Sequence, residues 1–246
     1  MRSQIIKPLP LPLLIIMVLA VCVIQGNATS LEYVSSTLWT GVNDAVALDS
    51  IVLAAFQYGL QVIDMTDPAA PRLIAQLHLP PGGFVSIDLL GNLVFLAGSS
   101  AGVAIVDISN LSNPTLVAWQ DTPGAAAAVL ARGNYLYVAD SWEGLQIVNL
   151  TDPAHPFLEG GYDTPGDARD IALYGNYVLV ADGYDGGVQV INVEFPQIPY
   201  PAGNFNTDRT AKGIAVEGHH AYVADADGGL VILDISDPTS PFRTSV

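Results

Sequence analysis

Residues 144–160 read GLQIVNLTDPAHPFLEG, an apolar, β-branched run that stops at Asp-Pro-x-x-Pro. The same kind of run recurs as LQVID (60–64), VAIVD (103–107), LQIVN (145–149), VQVIN (188–192) and LVILD (230–234). The residues that end these runs, Asp64, Asp107, Asn149, Asn192 and Asp234, are spaced by 43, 42, 43 and 42 residues. A proline stands seven residues after each of them: Pro71, Pro114, Pro156, Pro199 and Pro241. A register held this long is a repeat architecture, so the fold is to be read from one unit and multiplied.

In the third unit, small apolar residues 126–131 lead to Gly133-Asn134, and the strand-like YLYVAD (135–140) follows. A Gly-Asn pair between two such runs predicts a tight hairpin. Its counterparts are Gly91-Asn92, Gly175-Asn176, Gly218-His219 and a degenerate Asp49-Ser50. A loop, SWEG, ends in a glycine that recurs as Gly59, Gly102, Gly187 and Gly229, and each of these opens an apolar run. Proline then ends that third strand: Pro156 cannot donate to a ladder, Pro153 fixes φ, and the aspartate before it can accept turn amides. FLEGGYD supplies a fourth strand. In the fourth unit the four segments, lettered a to d from the hub outward, are expected at 170–174, 177–181, 188–192 and 200–206.

No helical periodicity is sustained after the first thirty or so residues, and four short strands per repeat of 42 or 43 suit a propeller blade better than a solenoid coil. These runs resemble the LVIVD repeat family, which is named after the run itself and occurs in exported and surface proteins of bacteria and archaea. The resemblance spans roughly 31–246 and implies an all-β propeller of about five four-stranded blades. The units are expected near 44–84, 85–126, 127–168, 169–211 and 212–246. Two departures fall in the turns: NVEFPQIP in the fourth unit, and Leu111 for the first proline in the second. The stretch LEYVSSTLW (31–39) is like a d strand and precedes the first a strand, so a ring closed through the N-terminus and an open, incomplete one both remain open readings.

Composition bounds the rest. The chain has 246 residues, is 50% hydrophobic and carries 24 acidic against 8 basic side chains, a formal net charge of −16. Such a charge argues against nucleic acid and anionic membrane surfaces, which call for basic patches. Arg2 and Lys7, an apolar stretch to about residue 24 and the small residues Gly26 and Ala28 form a secretory signal pattern over 1–28, with an uncleaved anchor as the alternative. On the first reading the protein is secreted or displayed at the cell surface, without a stable membrane span. Cys22, the single cysteine, lies in that leader, so packing and strand pairing must hold the mature fold.

Alternating strands would gather the b–c and d–a loops on one face, where sequence varies most and acid accumulates. Candidate binding residues there are Tyr58, Trp142, Glu143, Tyr184, Asp182, Asp185, Asp225 and Asp227. Exposed aromatics can stack on sugar rings or anchor a peptide. Asp182-x-x-Asp185-Gly and Asp225-x-Asp227-Gly have the oxygen ligands that calcium takes, but lack the twelve-residue loop with its closing glutamate, and Asp-Gly is ordinary turn chemistry. Four scattered histidines, no nucleophile elbow and no phosphate loop specify no reaction, and Asp44 and Asp170, just before inner strands, lack a partner base. The expectation is therefore a non-enzymatic scaffold that binds a protein, a glycan or a cation, without a cofactor or catalytic residues. The rival is an exported hydrolase or lyase with a metal at the channel mouth.

Overall fold

The computed structural model describes residues 41–244. The leader and the stretch 31–39 with its proposed closing role lie outside them. Five four-stranded antiparallel sheets follow one another along the chain, each paired in simple sequential order. The first holds β1 (Val42–Leu48), β2 (Ile51–Phe56), β3 (Gly59–Asp64) and β4 (Arg72–His78). The second holds β5 (Ser86–Leu90), β6 (Leu93–Ala97), β7 (Val103–Asp107) and β8 (Thr115–Gln120). The third holds β9 (Ala128–Arg132), β10 (Tyr135–Ala139), β11 (Leu145–Asn149) and β12 (Phe157–Tyr162). The fourth holds β13 (Asp170–Tyr174), β14 (Tyr177–Ala181), β15 (Val188–Asn192) and β16 (Tyr200–Phe205). The fifth holds β17 (Gly213–Glu217), β18 (His220–Ala224), β19 (Leu230–Asp234) and β20 (Phe242–Arg243).

The inner strands β1, β5, β9, β13 and β17 pack each on the next, so the sheets fan around a hub as the blades of a propeller. Four apolar layers separate them, one between each successive pair of blades. Strand alternation makes this possible. In blade one Leu53, Ala55 and Val62 face blade two, while Val52, Ala54 and Ile63 point the other way into a small cluster built of blade-one residues alone. On the far side of blade five Ala215, Ala224 and Leu230 are exposed. Among the described residues, then, β1 and β17 do not pack as the successive inner strands do.

The corner after each c strand has one hydrogen-bond pattern in all five blades. The terminal Asp or Asn accepts the amide two residues on, at 2.7–2.9 Å: Asp64 from Thr66, Asp107 from Ser109, Asn149 from Thr151, Asn192 from Glu194, Asp234 from Ser236. These are Asx turns, in which the side chain replaces a backbone acceptor. A second Asx turn follows at Asp67, Asn110, Asp152 and Asp237. Phe195 holds that place in the fourth unit, where the sequence departs. The d strands carry a further repeated device: their pairing with c slips by one residue at the same point in blades one to four, a bulge that bends the outer strand.

The a–b hairpins form where the Gly-Asn pairs predict them. Gly91, Gly133, Gly175 and Gly218 have φ near +60°, and Asp49 matches them at 53°, but the asparagines that follow are not left-handed. Only the first central residue has positive φ, the pattern of a type II′ turn. The second residue matters through its carbonyl: Asn92, Asn134, Asn176 and His219 accept from Ile108, Leu150, Val193 and Ile235, tying the hairpin to the corner after strand c.

Candidate functional site

The b–c and d–a loops do share one face, and their junction is built from a repeated carboxylate. Asp140 directly follows the b strand of blade three, is fully buried, and accepts the Thr122 hydroxyl at 2.7 Å and the Gly124 amide at 2.7 Å. Asp182 does the same in blade four with Thr164 and Gly166, at 2.5 and 2.8 Å. Burial pushes both carboxyls above the usual range, and the hydroxyl and amide bonds pull back against it. In blade five Asp225 is equally buried and accepts the Arg209 amide at 3.1 Å. There the Thr207 hydroxyl donates to its own loop, at Arg209 O, and Asp225 Oδ1 is left without a partner among the described residues. Blade two has Pro80 and Gly98 in these places; a Cβ on Gly98 would lie 3.2 Å from the buried ring of Phe84.

Asp182 and Asp225 were expected on the open face, and the structure corrects this: both are inside, each closing its own d–a loop. Asp182 has both its oxygens engaged, Oδ1 by Thr164 and Oδ2 by Gly166. Among the described residues no group of three or more His, Cys, Asp or Glu side chains is arranged to hold a metal. Glu143, Asp185 and Asp227 are exposed. So are the aromatics: Trp142 is 71% and Tyr184 68% accessible, on the b–c loops of adjacent blades. Tyr58 is half exposed and stacks on His78 with centroids 5.5 Å apart.

At the hub the carboxylates act as staples between blades. Asp44 accepts the Ile87 amide at 3.0 Å, Asp88 the Ala131 amide at 2.7 Å and Asp170 the Ile214 amide at 2.8 Å, each reaching the inner strand of the next blade. Asp44 and Asp170 thus sit in inner strands rather than before them. Burial raises the Asp170 carboxyl, opposed by the Ile214 and Ile171 amides, and the Asp44 charge raises it further. Two of the histidines have polar partners: His155 pairs with Asp152 at 2.8 Å in its own corner, and His219 meets the Tyr174 hydroxyl of the neighbouring blade at 2.5 Å.

Sequence reasoning passed over two cations. In repeat register, Asn43 in β1 corresponds to the residues just before the four later inner strands, Val85, Ala127, Arg169 and Lys212, and the last two place positive charge at the hub mouth. Arg169 is paired with Asp167, 2.5 Å away. The signal was present in DARD and TAKG, which read only as loops until the units were stacked.

Sheets fanned about a hub and built from one repeated corner define a β-propeller of sequence repeats. The LVIVD repeat pattern matches residues 81–122, 123–164, 165–206 and 208–244, and the chain belongs to the LVIVD repeat family. Blade one lies outside these matches. Among solved structures the chain is similar to a protein from Lactobacillus plantarum (TM-score 0.70, 12% identity, 83% of this chain and 70% of that one). It is also similar to a functionally unknown protein from Desulfotomaculum acetoxidans DSM 771 (TM-score 0.65, 12% identity, 86% and 70%). The computationally designed Ika8 protein matches with a TM-score of 0.60 and 12% identity over 76% of this chain; the match spans 56% of the designed chain, little over half its length. At such identities the likeness is one of fold. No curated protein matches the chain in sequence.

Proposed function

We propose that this protein is an exported, non-enzymatic propeller scaffold whose b–c and d–a loop face binds a neutral glycan at a surface. The single observation that carries the reading is the exposure of Trp142 and Tyr184 on corresponding loops of neighbouring blades, over a rigid, fully packed support. Flat aromatic faces stack on the apolar faces of sugar rings, and the exposed carboxylates of Glu143, Asp185 and Asp227 would accept sugar hydroxyls. Two features speak for a scaffold rather than the rival enzyme: the hub carboxylates Asp44 and Asp170 are engaged by backbone amides, and among the described residues no histidine is hydrogen-bonded to either. Export rests on the leader pattern in 1–28 and on the family resemblance; no described helix is long and apolar enough to cross a membrane.

The test is a titration of the mature protein and its variants with neutral oligosaccharides of differing linkage, followed by calorimetry and, for the wild type, by tryptophan fluorescence. At least one should shift the Trp142 signal, and Trp142→Ala or Tyr184→Ala should weaken binding by about tenfold, as loss of one aromatic platform does. Binding that survives both substitutions, or no binding to any glycan, overturns the reading and leaves a protein partner for the same rim.

A further inference from the structure

We propose that the hub mouth is a binding site for a small organic monocarboxylate, distinct from the aromatic rim. A cavity of about 360 Å³ opens there, lined by residues of blades two to five, among them Val85, Ala127, Ser99, Ser141, Arg169 and Lys212. That volume lies in the lower range of small-molecule sites, which run from roughly 300 to 1,000 Å³.

Three features fix the chemistry of the ligand. The first is the sign of its charge: two of the chain's 8 basic side chains stand here in equivalent places of adjacent blades, within a molecule of net charge −16. The second is how much charge the site takes. Arg169 is tied to Asp167 at 2.5 Å, whereas Lys212 has no carboxylate within 4.0 Å among the described residues, so close to one positive charge is free. A monoanion is matched there; a dianion would carry its second charge into the field of the surrounding aspartates. The third is the apolar part of the lining. Val85 and the part-exposed Ala125 and Ala127 form an apolar side, so the ligand bears a short apolar or ring portion behind its carboxylate. The guanidinium edge of Arg169 left free by Asp167 and the hydroxyl of Ser99 supply donors that a carboxylate accepts.

The cation positions are built in. Lys212 and Arg169 each donate a main-chain amide to the b strand of their own blade, at Ala224 O and Ala181 O, both at 2.9 Å. Ser141 is held by its hydroxyl on Ala125 O at 2.8 Å and by its amide on Ala168 O at 3.2 Å. A ligand here would therefore meet side chains whose backbones do not need to move.

Benzoate is the probe, with benzamide as its neutral twin and inorganic phosphate, at a pH above its second ionisation, as the dianionic competitor, each titrated into the intact protein by calorimetry. Benzoate should bind with a dissociation constant of about a millimolar or below, and benzamide at least about tenfold more weakly, the loss expected for one charge-assisted hydrogen bond. Lys212→Met should reduce benzoate affinity by a similar factor and Lys212→Arg should restore it, with melting temperatures close to wild type because Lys212 is exposed. Equal binding of benzoate and benzamide, phosphate binding as tightly as benzoate, undiminished binding by Lys212→Met, or no benzoate heat at all would each overturn the proposal. The comparison of benzoate with benzamide needs no variant, so it decides even if a substitution disturbs folding. Neither Trp142 nor Tyr184 enters this site, so its failure and that of the glycan reading are separate results.

Discussion

Asp182 shows how one buried carboxylate holds a loop in place. It satisfies a hydroxyl and an amide that would otherwise be buried unpaired, at the price of losing its own hydration. Asp182→Ala orphans both donors and should cost about 3 kcal/mol, measurable by urea unfolding. Asp182→Asn should cost less than about 1.5 kcal/mol, because its carbonyl can take the Gly166 amide while its amide donates to a reoriented Thr164 hydroxyl. The two proteins should also differ with pH. Since burial raises the Asp182 pKa, the folded protein holds that proton more tightly than the unfolded chain. The site's contribution is therefore full below the unfolded value and is lost as pH rises through the raised folded one. Stability of wild type relative to Asp182→Asn should then increase from pH 7 into the acid range; a constant difference would show that the pKa is not raised.

The corner after strand c carries the opposite dependence. Hydrogen bonds from Thr66, side chain first and then main chain, and from Arg72 lower the Asp64 carboxyl to about 2. A depressed pKa gives stability that is present above the unfolded value and lost as pH falls through the folded one. Asp64→Asn keeps the acceptor for the Thr66 amide, so its unfolding curve should be less acid-sensitive than that of wild type between about pH 4 and 2. The corner repeats in all five blades, and a buried copy tests it best. Asn192 is 6% exposed and accepts the Glu194 amide, so Asn192→Ala should lose about 1 kcal/mol in chemical denaturation. The corners were legible in the sequence because an Asx turn is local: donor and acceptor lie two residues apart. The a–b hairpins were legible in place but not in type, because Gly-Asn serves two mirror-image turns and only the flanking strands choose between them.

Across the whole molecule, blades approach one another through small residues. Gly160, in the d strand of blade three, lies where a Cβ would come 2.3 Å from Pro196 O in the corner of blade four, and Gly203 meets Pro238 O of blade five at 2.7 Å in the same way. Gly160→Ala should therefore destabilise by about 1–3 kcal/mol, the cost of forcing atoms into a filled contact, and a melting curve unchanged from wild type would refute the close packing. Unit spacing revealed that blades exist and where they begin, yet said nothing of this contact, because it joins residues 36 apart that no local pattern links. The same holds for the Asp140 and Asp182 junctions, which span 18 residues. Their signal was visible only as paired presence: Thr with Asp in units three to five, Pro80 with Gly98 in unit two.

The sequence by itself determined the period, the four strands of each unit, the corner chemistry and the acid balance of the loop face. These depend on alternation, proline and short-range acceptors, which act within a few residues. Tertiary structure alone decided that Asp182 and Asp225 turn inward, that Asp44, Asp88 and Asp170 bind the next blade, and that Arg169 and Lys212 meet at the hub. Burial and convergence are properties of distances between units, and a linear order of residues fixes those distances only once the blades have packed.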